Sequence, residues 1–173
     1  MEDLKRQRIP GLELSIKDET SSLKGNLSDD KDGDYIDPTT GLAGLLVTEE
    51  NAASRKRIIS IPESSRDEMF ELTKKEFLQG NGMGDGDTTK RSVVYTDLYR
   101  KISKNDRLAA GHTLSQYERA YTQAFIAAAK AADPAWKAGK PIKPGALDGI
   151  TRESVEANLK KSSSLLSSVD IQV

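Results

Sequence analysis

The sequence predicts a mainly α fold: a small helical domain of about four helices, preceded by an extended, largely disordered acidic N-terminal segment. Three observations carry that reading. Apolar residues recur at three- and four-residue spacing over residues 65–79 and 114–132, the period of a helix with one buried face. Glycine and proline clusters separate these runs. The charge is lopsided: from Met1 to Thr40 six Lys/Arg stand against ten Asp/Glu, a net −4, whereas from Arg100 to Lys143 nine stand against three, a net +6. A whole-chain charge of −1 conceals this layout, which bears on the partners each end attracts.

Residues 1–61 read as a flexible acidic segment with short apolar clusters, and 62–173 as the helical domain. In the first forty residues the hydrophobics are too sparse to offset the entropy of ordering. Leu12, Leu14 and Ile16 alternate with Glu13 and Ser15, a period of two that suits a strand added to a partner's sheet. Leu42–Val47 and Ile58–Ile61 are the apolar clusters that follow. Ile58, Ile59 and Ile61 before Pro62 favour an extended segment, because proline pushes its predecessor out of the helical region.

The first helix is predicted over Ser65–Gln79. Ser65 and Glu68 are spaced as a capping box, and Gly80 is placed to supply a left-handed stop. The glycine-rich GNGMGDGDTT is a flexible loop. A second helix is predicted over Ser92–Lys104, with Val93, Val94 and Tyr95 open to a strand alternative. The longest runs from Leu114 to Ala132 with Thr113 as its cap, and its alanines permit close approach of a neighbour. A Pro/Lys-rich arm covers 134–150, and a last helix starts at Thr151 and runs to about Leu166.

Composition removes several kinds of chemistry. Without cysteine there is no disulfide, thiolate catalysis or cysteine-bound metal. No apolar run approaches the ~20 residues of a membrane span. The N-terminus is charged from its second residue and lacks the apolar core of a secretory signal, so the expectation is an intracellular, cytoplasmic protein. Basic clusters at Lys5-Arg6-Gln7-Arg8 and Arg55-Lys56-Arg57 add nuclear import or phosphate contact to that expectation.

The arm PAWKAGKPIKPG is the most suggestive stretch. Lys137, Lys140 and Lys143 recur every three residues, the polyproline II period, which would align three ammonium groups ~9 Å apart along one edge. Trp136 beside them is placed to stack on a base, and Arg100, Lys101, Lys104, Arg107, Arg119 and Lys130 would extend the patch toward single-stranded nucleic acid. The competing readings are an acidic protein surface as partner, or a solvated linker with Trp136 folded back onto the end of the long helix.

Other motifs are weaker. GNGMGDGDTTKR lacks the Gly-Lys-Ser/Thr ending of a phosphate loop and follows no strand. SDDKDGDYIDPT places Thr39 where a calcium loop requires a bidentate glutamate. His112 is the single histidine, with no nucleophile beside it, and nothing recommends Asp97 and Asp106 as a catalytic pair. Ser60, Ser64 and Ser65 are phosphorylation candidates, the last two at a helix start that favours negative charge. The C-terminal Val169–Val173 alternates apolar residues and suits capture by a partner.

Taken together, these features predict a non-enzymatic assembly, adaptor or structural protein that self-associates or docks a protein partner, a profile that small viral structural or accessory proteins share. The alternative is a nucleic-acid-binding protein using residues 100–143. No catalytic residue, metal site, cofactor or small-molecule substrate is expected.

Overall fold

A computed structural model describes residues 36–43 and 48–169, with side chains as far as Lys161. The chain divides into two compact units, 1–46 and 47–173. The described part of the first is a tight turn. The Asp37 carboxylate accepts the N–H groups of Thr39 and Thr40, which hold its pKa below the ordinary value, the Thr39 backbone foremost. Gly41, at φ +68°, lets the chain double back so that Ile36 bridges Ala43. The expectations about Leu12–Ile16, the Lys5–Arg8 cluster and most of the acidic segment fall outside the described residues, as do residues 170–173 of the C-terminal tail.

The second unit is mainly helical, as the spacing predicted, with four α-helices and no strand among the described residues: α1 Glu63–Gln79, α2 Thr89–Arg100, α3 Arg107–Ala132 and α4 Arg152–Val169. Short 3₁₀ turns at Ser54–Lys56 and Lys104–Asp106 precede α1 and α3. Residues 47–61 belong to this unit as well.

α1 begins two residues earlier than the capping-box spacing implied. The Pro62 carbonyl accepts the N–H groups of Ser65 and Arg66, so the helix starts directly after proline, a residue whose fixed φ suits that position. Ser65 therefore lies inside the helix, buried, and no side chain caps it. Met69, Phe70, Thr73 and Phe77 form its buried face. Phe70 meets Tyr121 edge-on at 5.2 Å, and Phe125 of α3 lies 5.4 Å from Phe70 and 5.7 Å from Phe77. Burial of each such ring contributes roughly 1.5–3 kcal/mol, so this aromatic seam is the centre of the core.

The stop of α1 also differs from the expected one. Gly80 is not left-handed; Asn81 (φ +51°) and Gly82 (φ +81°) are, and the Gly82 N–H returns to the Phe77 carbonyl. Gly80 is required for another reason, since a Cβ there would lie 1.9 Å from the Met83 carbonyl oxygen.

Val93, Val94 and Tyr95 are helical. α2 spans Thr89–Arg100, starting earlier and ending earlier than Ser92–Lys104, and buries Val94 and Leu98 one turn apart. α3 extends seven residues beyond its predicted start. Ala109 and Ala110 are buried, and Gly111 leaves room for the Tyr99 hydroxyl, which would lie 2.5 Å from a Cβ at that position. Thr113 is thus no cap but an interior residue, its hydroxyl donating to the Ala109 carbonyl. α4 starts as expected after Thr151, where Thr151 and Ser154 exchange side-chain and backbone hydrogen bonds in a reciprocal cap.

Candidate functional site

Charge-bearing side chains gather at two places where helices meet. At the first, the Arg152 guanidinium at the start of α4 is 6% exposed and surrounded by carboxylates. It reaches Glu63 at 2.6 Å and Asp67 on α1, and Glu153 and Glu156 on α4 at 2.9 Å each. Glu156, itself buried, also accepts from Arg66 of α1 and from the Tyr121 hydroxyl of α3 at 2.7 Å. The Arg66 guanidinium lies over the Tyr117 ring, 5.6 Å from its centroid. One carboxylate thereby ties three helices together. Burial works against the Arg152 charge, but the hydrogen bonds to Asp67 and Glu156 outweigh it and raise its pKa above the ordinary value. The Tyr121 hydroxyl is raised too, by burial first and then by its bond to Glu156.

At the second, Arg91 of α2 joins Glu76 of α1 at 2.6 Å and Glu118 of α3. Glu118 also accepts the Tyr95 hydroxyl at 2.9 Å. Burial, then the Glu118 charge, pushes the Tyr95 pKa above its ordinary value. Sequence reasoning missed both clusters. A legible sign was Arg152 and Glu156, one helical turn apart on the side of α4 that carries Val155 and Leu159.

The arm is not a polyproline helix, a conformation without internal hydrogen bonds. Lys140 N–H bonds to the Lys137 carbonyl, Ala146 N–H to that of Lys143, and Gly139 and Gly145 turn the chain at φ +92° and +80°. The three lysines are therefore not aligned on one straight edge. Trp136 is 3% exposed, donates its indole N–H to the Lys140 carbonyl at 2.8 Å, and packs 5.8 Å from Phe77. A Cβ on Gly82 would strike its ring at 2.8 Å. The indole plugs the end of the bundle, so its face is closed to a base.

The remaining basic candidates do not form one groove. Arg100, paired with Asp97 at 3.3 Å, Lys101, Lys104 and Arg107 lie around the start of α3, where Arg107 donates to the Tyr99 carbonyl. Lys130, Lys137, Lys140 and Lys143 gather at its other end, ~39 Å away along a 26-residue helix. Lys143 donates to the Ala132 carbonyl, capping α3. Arg119 and Lys130, three turns apart, share one exposed face of α3. Of the serines, Ser60 and Ser64 are exposed, but Ser65 is 1% exposed, and burial removes it as a modification site.

The glycine-rich loop borders a cleft of about 260 Å³ between the end of α1 and the start of α2, lined in part by Glu76, Met83, Asp85 and Lys90. Asp87 accepts the Thr89 N–H there, and its pKa is lowered by hydrogen bonds from the Thr89 side chain and backbone. That carboxylate occupies the anion-favouring end of α2. Asp106 is engaged with Arg57 at 2.6 Å and with Ser103. Among the described residues no His/Asp/Glu group is arranged to hold a metal, and no helix is long and apolar enough to cross a membrane.

Fold and site together define a small, mainly helical module locked by two arginine clusters. The chain belongs to the family described as Domain of unknown function (DUF3879), which matches residues 6–173. No curated protein and no solved structure matches it.

Proposed function

We propose that this protein is a non-enzymatic assembly or adaptor module that self-associates or docks a protein partner. The observation that carries the reading is the division of labour between interior and surface. The two charged side chains that the fold buries, Arg152 and Glu156, are committed to each other and to Asp67 and Arg66 of α1, which favours rigidity over chemistry. Meanwhile Ile58, Leu78, Met83 and Val93 stay between 46% and 65% exposed, on four different segments. Rigid helical units with scattered apolar and charged contacts suit attachment to other proteins. Light scattering of the purified chain with and without nuclease tests this reading. It predicts a mass that rises with concentration, or a co-purifying protein; a strict monomer that retains no partner would sink it.

A second reading, nucleic-acid binding through residues 100–143, keeps one favourable observation. The side-chain charges of Lys101, Arg119, Lys130, Lys137 and Lys140 are exposed and have no partner among the described residues. With Trp136 sealed, such binding would rest on phosphate contacts, and so would weaken log-linearly with salt. Replacing Lys137, Lys140 and Lys143 by alanine would flatten that slope.

A further inference from the structure

Residues 57–62 run without a turn or bend across the first half of α3, from Arg57 (φ −63°, ψ 139°) to Pro62 (φ −52°, ψ 138°). Burial along it alternates with a period of two: Ile59 is half-buried and Ile61 buried, while Ile58 and Ser60 are exposed. The Ile59 N–H donates to the Thr113 hydroxyl oxygen at 3.1 Å, and the Arg57 carbonyl lies 3.4 Å from that same hydroxyl. Ile61 is buried, and its carbonyl accepts from Arg66. In an extended chain the backbone groups of residues 57 and 59 point to one edge, and those of 58 and 60 to the other. The N–H and C=O of Ile58 and Ser60 have no partner among the described residues, and both residues are exposed, Ile58 at 65%. One edge is thus pinned to the bundle and the other is open, in a protein with no strand to cover it among the described residues. Unpaired strand edges invite an added strand.

The charge beside this edge selects the kind of strand. Arg55 and Lys56 are exposed and unpaired among the described residues, while Arg57 is held by Asp106. We propose that residues 57–61 dock an extended acidic peptide segment of a partner protein, through main-chain hydrogen bonds to Ile58 and Ser60, an apolar contact on Ile58, and carboxylates against Arg55 and Lys56. The inference rests on the docking reading above and names its surface. Pro62 and the 3₁₀ turn at Ser54–Lys56 bound the edge, so the contact is short and its affinity modest.

The test titrates the full chain with an acetylated peptide of four Glu-Val repeats, and with its Lys-Val counterpart. The Ile58 and Ser60 amides shift and exchange more slowly with the acidic peptide, with a dissociation constant on the order of 100 µM, and the basic peptide binds at least about tenfold more weakly. Ser60→Pro, which removes one edge N–H, abolishes binding. Should that variant melt below the wild type, Arg55→Glu/Lys56→Glu serves instead and reverses the preference between the two peptides. Equal binding of both peptides overturns the inference, as does binding without protection at Ile58 and Ser60, including binding of an oligonucleotide there in place of the peptide. A chain that ignores the acidic peptide yet self-associates or retains a protein overturns this edge and leaves the docking reading standing. One that does none of these overturns both.

Discussion

Arg152 and Arg91 each gather carboxylates where helices meet, and each shares one with a tyrosine hydroxyl: Glu156 on Arg152's own helix, Glu118 on a helix next to Arg91's. They differ in depth. Arg152 is 6% exposed and its central partner Glu156 7%, whereas Arg91 is 30% exposed and Glu118 20%. The same chemistry has different consequences at these depths. A buried charge stripped of its partner has no water to turn to, while a half-exposed one rehydrates. The Arg152 cluster therefore acts as an all-or-none lock among α1, α3 and α4, and the Arg91 cluster as a graded brace among α1, α2 and α3.

The largest effect that separates them is removal of the arginine itself. Arg152→Ala leaves Glu156 buried with Arg66 as its one remaining cation, and should destabilise the fold by about 3 kcal/mol. The value sits at the low end for a buried pair because Glu63, Asp67 and Glu153 are more than half exposed and return to water. Arg91→Ala should lower stability by about 1 kcal/mol, and most of that difference should vanish in 1 M salt. Thermal or urea melts of the two variants at low and high salt decide the matter. Equal losses, or equal salt sensitivity, would mean that burial does not distinguish the clusters.

Alkaline pH probes the same contrast through the tyrosines. Tyr121 and Tyr95 both have pKa values raised above the ordinary value near 10, so the folded chain holds their protons where the unfolded chain releases them. Their contribution is fully present below pH ~10 and is lost as the pH rises above it, and stability falls in that direction. Tyr121→Phe should weaken the fold by roughly 2 kcal/mol at neutral pH, since it removes a hydrogen bond to a buried charge. Tyr95→Phe should remove less than about 1 kcal/mol. Both variants should lose stability less steeply above pH 10. Ultraviolet titration of tyrosinate checks the protonation directly: Tyr121, Tyr95 and Tyr99, the last raised by burial alone, should ionise together with unfolding, and free titration of Tyr121 or Tyr95 in the folded chain contradicts its raised pKa.

The part of this arrangement legible in the sequence is the part with local causes. Helical spacing located α1 and α3, and glycine and proline located the breaks between them. The errors arise where a distant contact decides. Ser65 has the sequence of a cap, but Pro62 starts the helix first and the core claims the serine. Thr113 has it too, yet Ala109 and Ala110 bury themselves one turn earlier and carry α3 back to Arg107. Lysine spacing suggested a straight arm; Gly139 and the pull of Phe77 on Trp136 fold it instead. The arginine clusters depend on pairs such as Arg66 with Glu156, ninety residues apart, which no local pattern reveals.

The smallest effect concerns Thr73, midway along α1 between the residues that serve the two clusters. It is 1% exposed, and its hydroxyl is the one buried side-chain polar atom without a hydrogen-bond partner among the described residues. Helix threonines commonly satisfy themselves on the carbonyl one turn back, as Thr113 and Thr122 do here. Thr73 does not, so it bears a desolvation penalty with no compensating bond. Thr73→Val keeps the shape, replaces the hydroxyl with a methyl group, and should stabilise the fold by up to about 1 kcal/mol. The gain should differ between the wild type and Arg91→Ala, because Thr73, Glu76 and Arg91 line one cleft and are near enough to couple. A loss of stability on Thr73→Val would show that the hydroxyl has a partner, such as a buried water, and that α1 is polar at its centre as well as at its two ends.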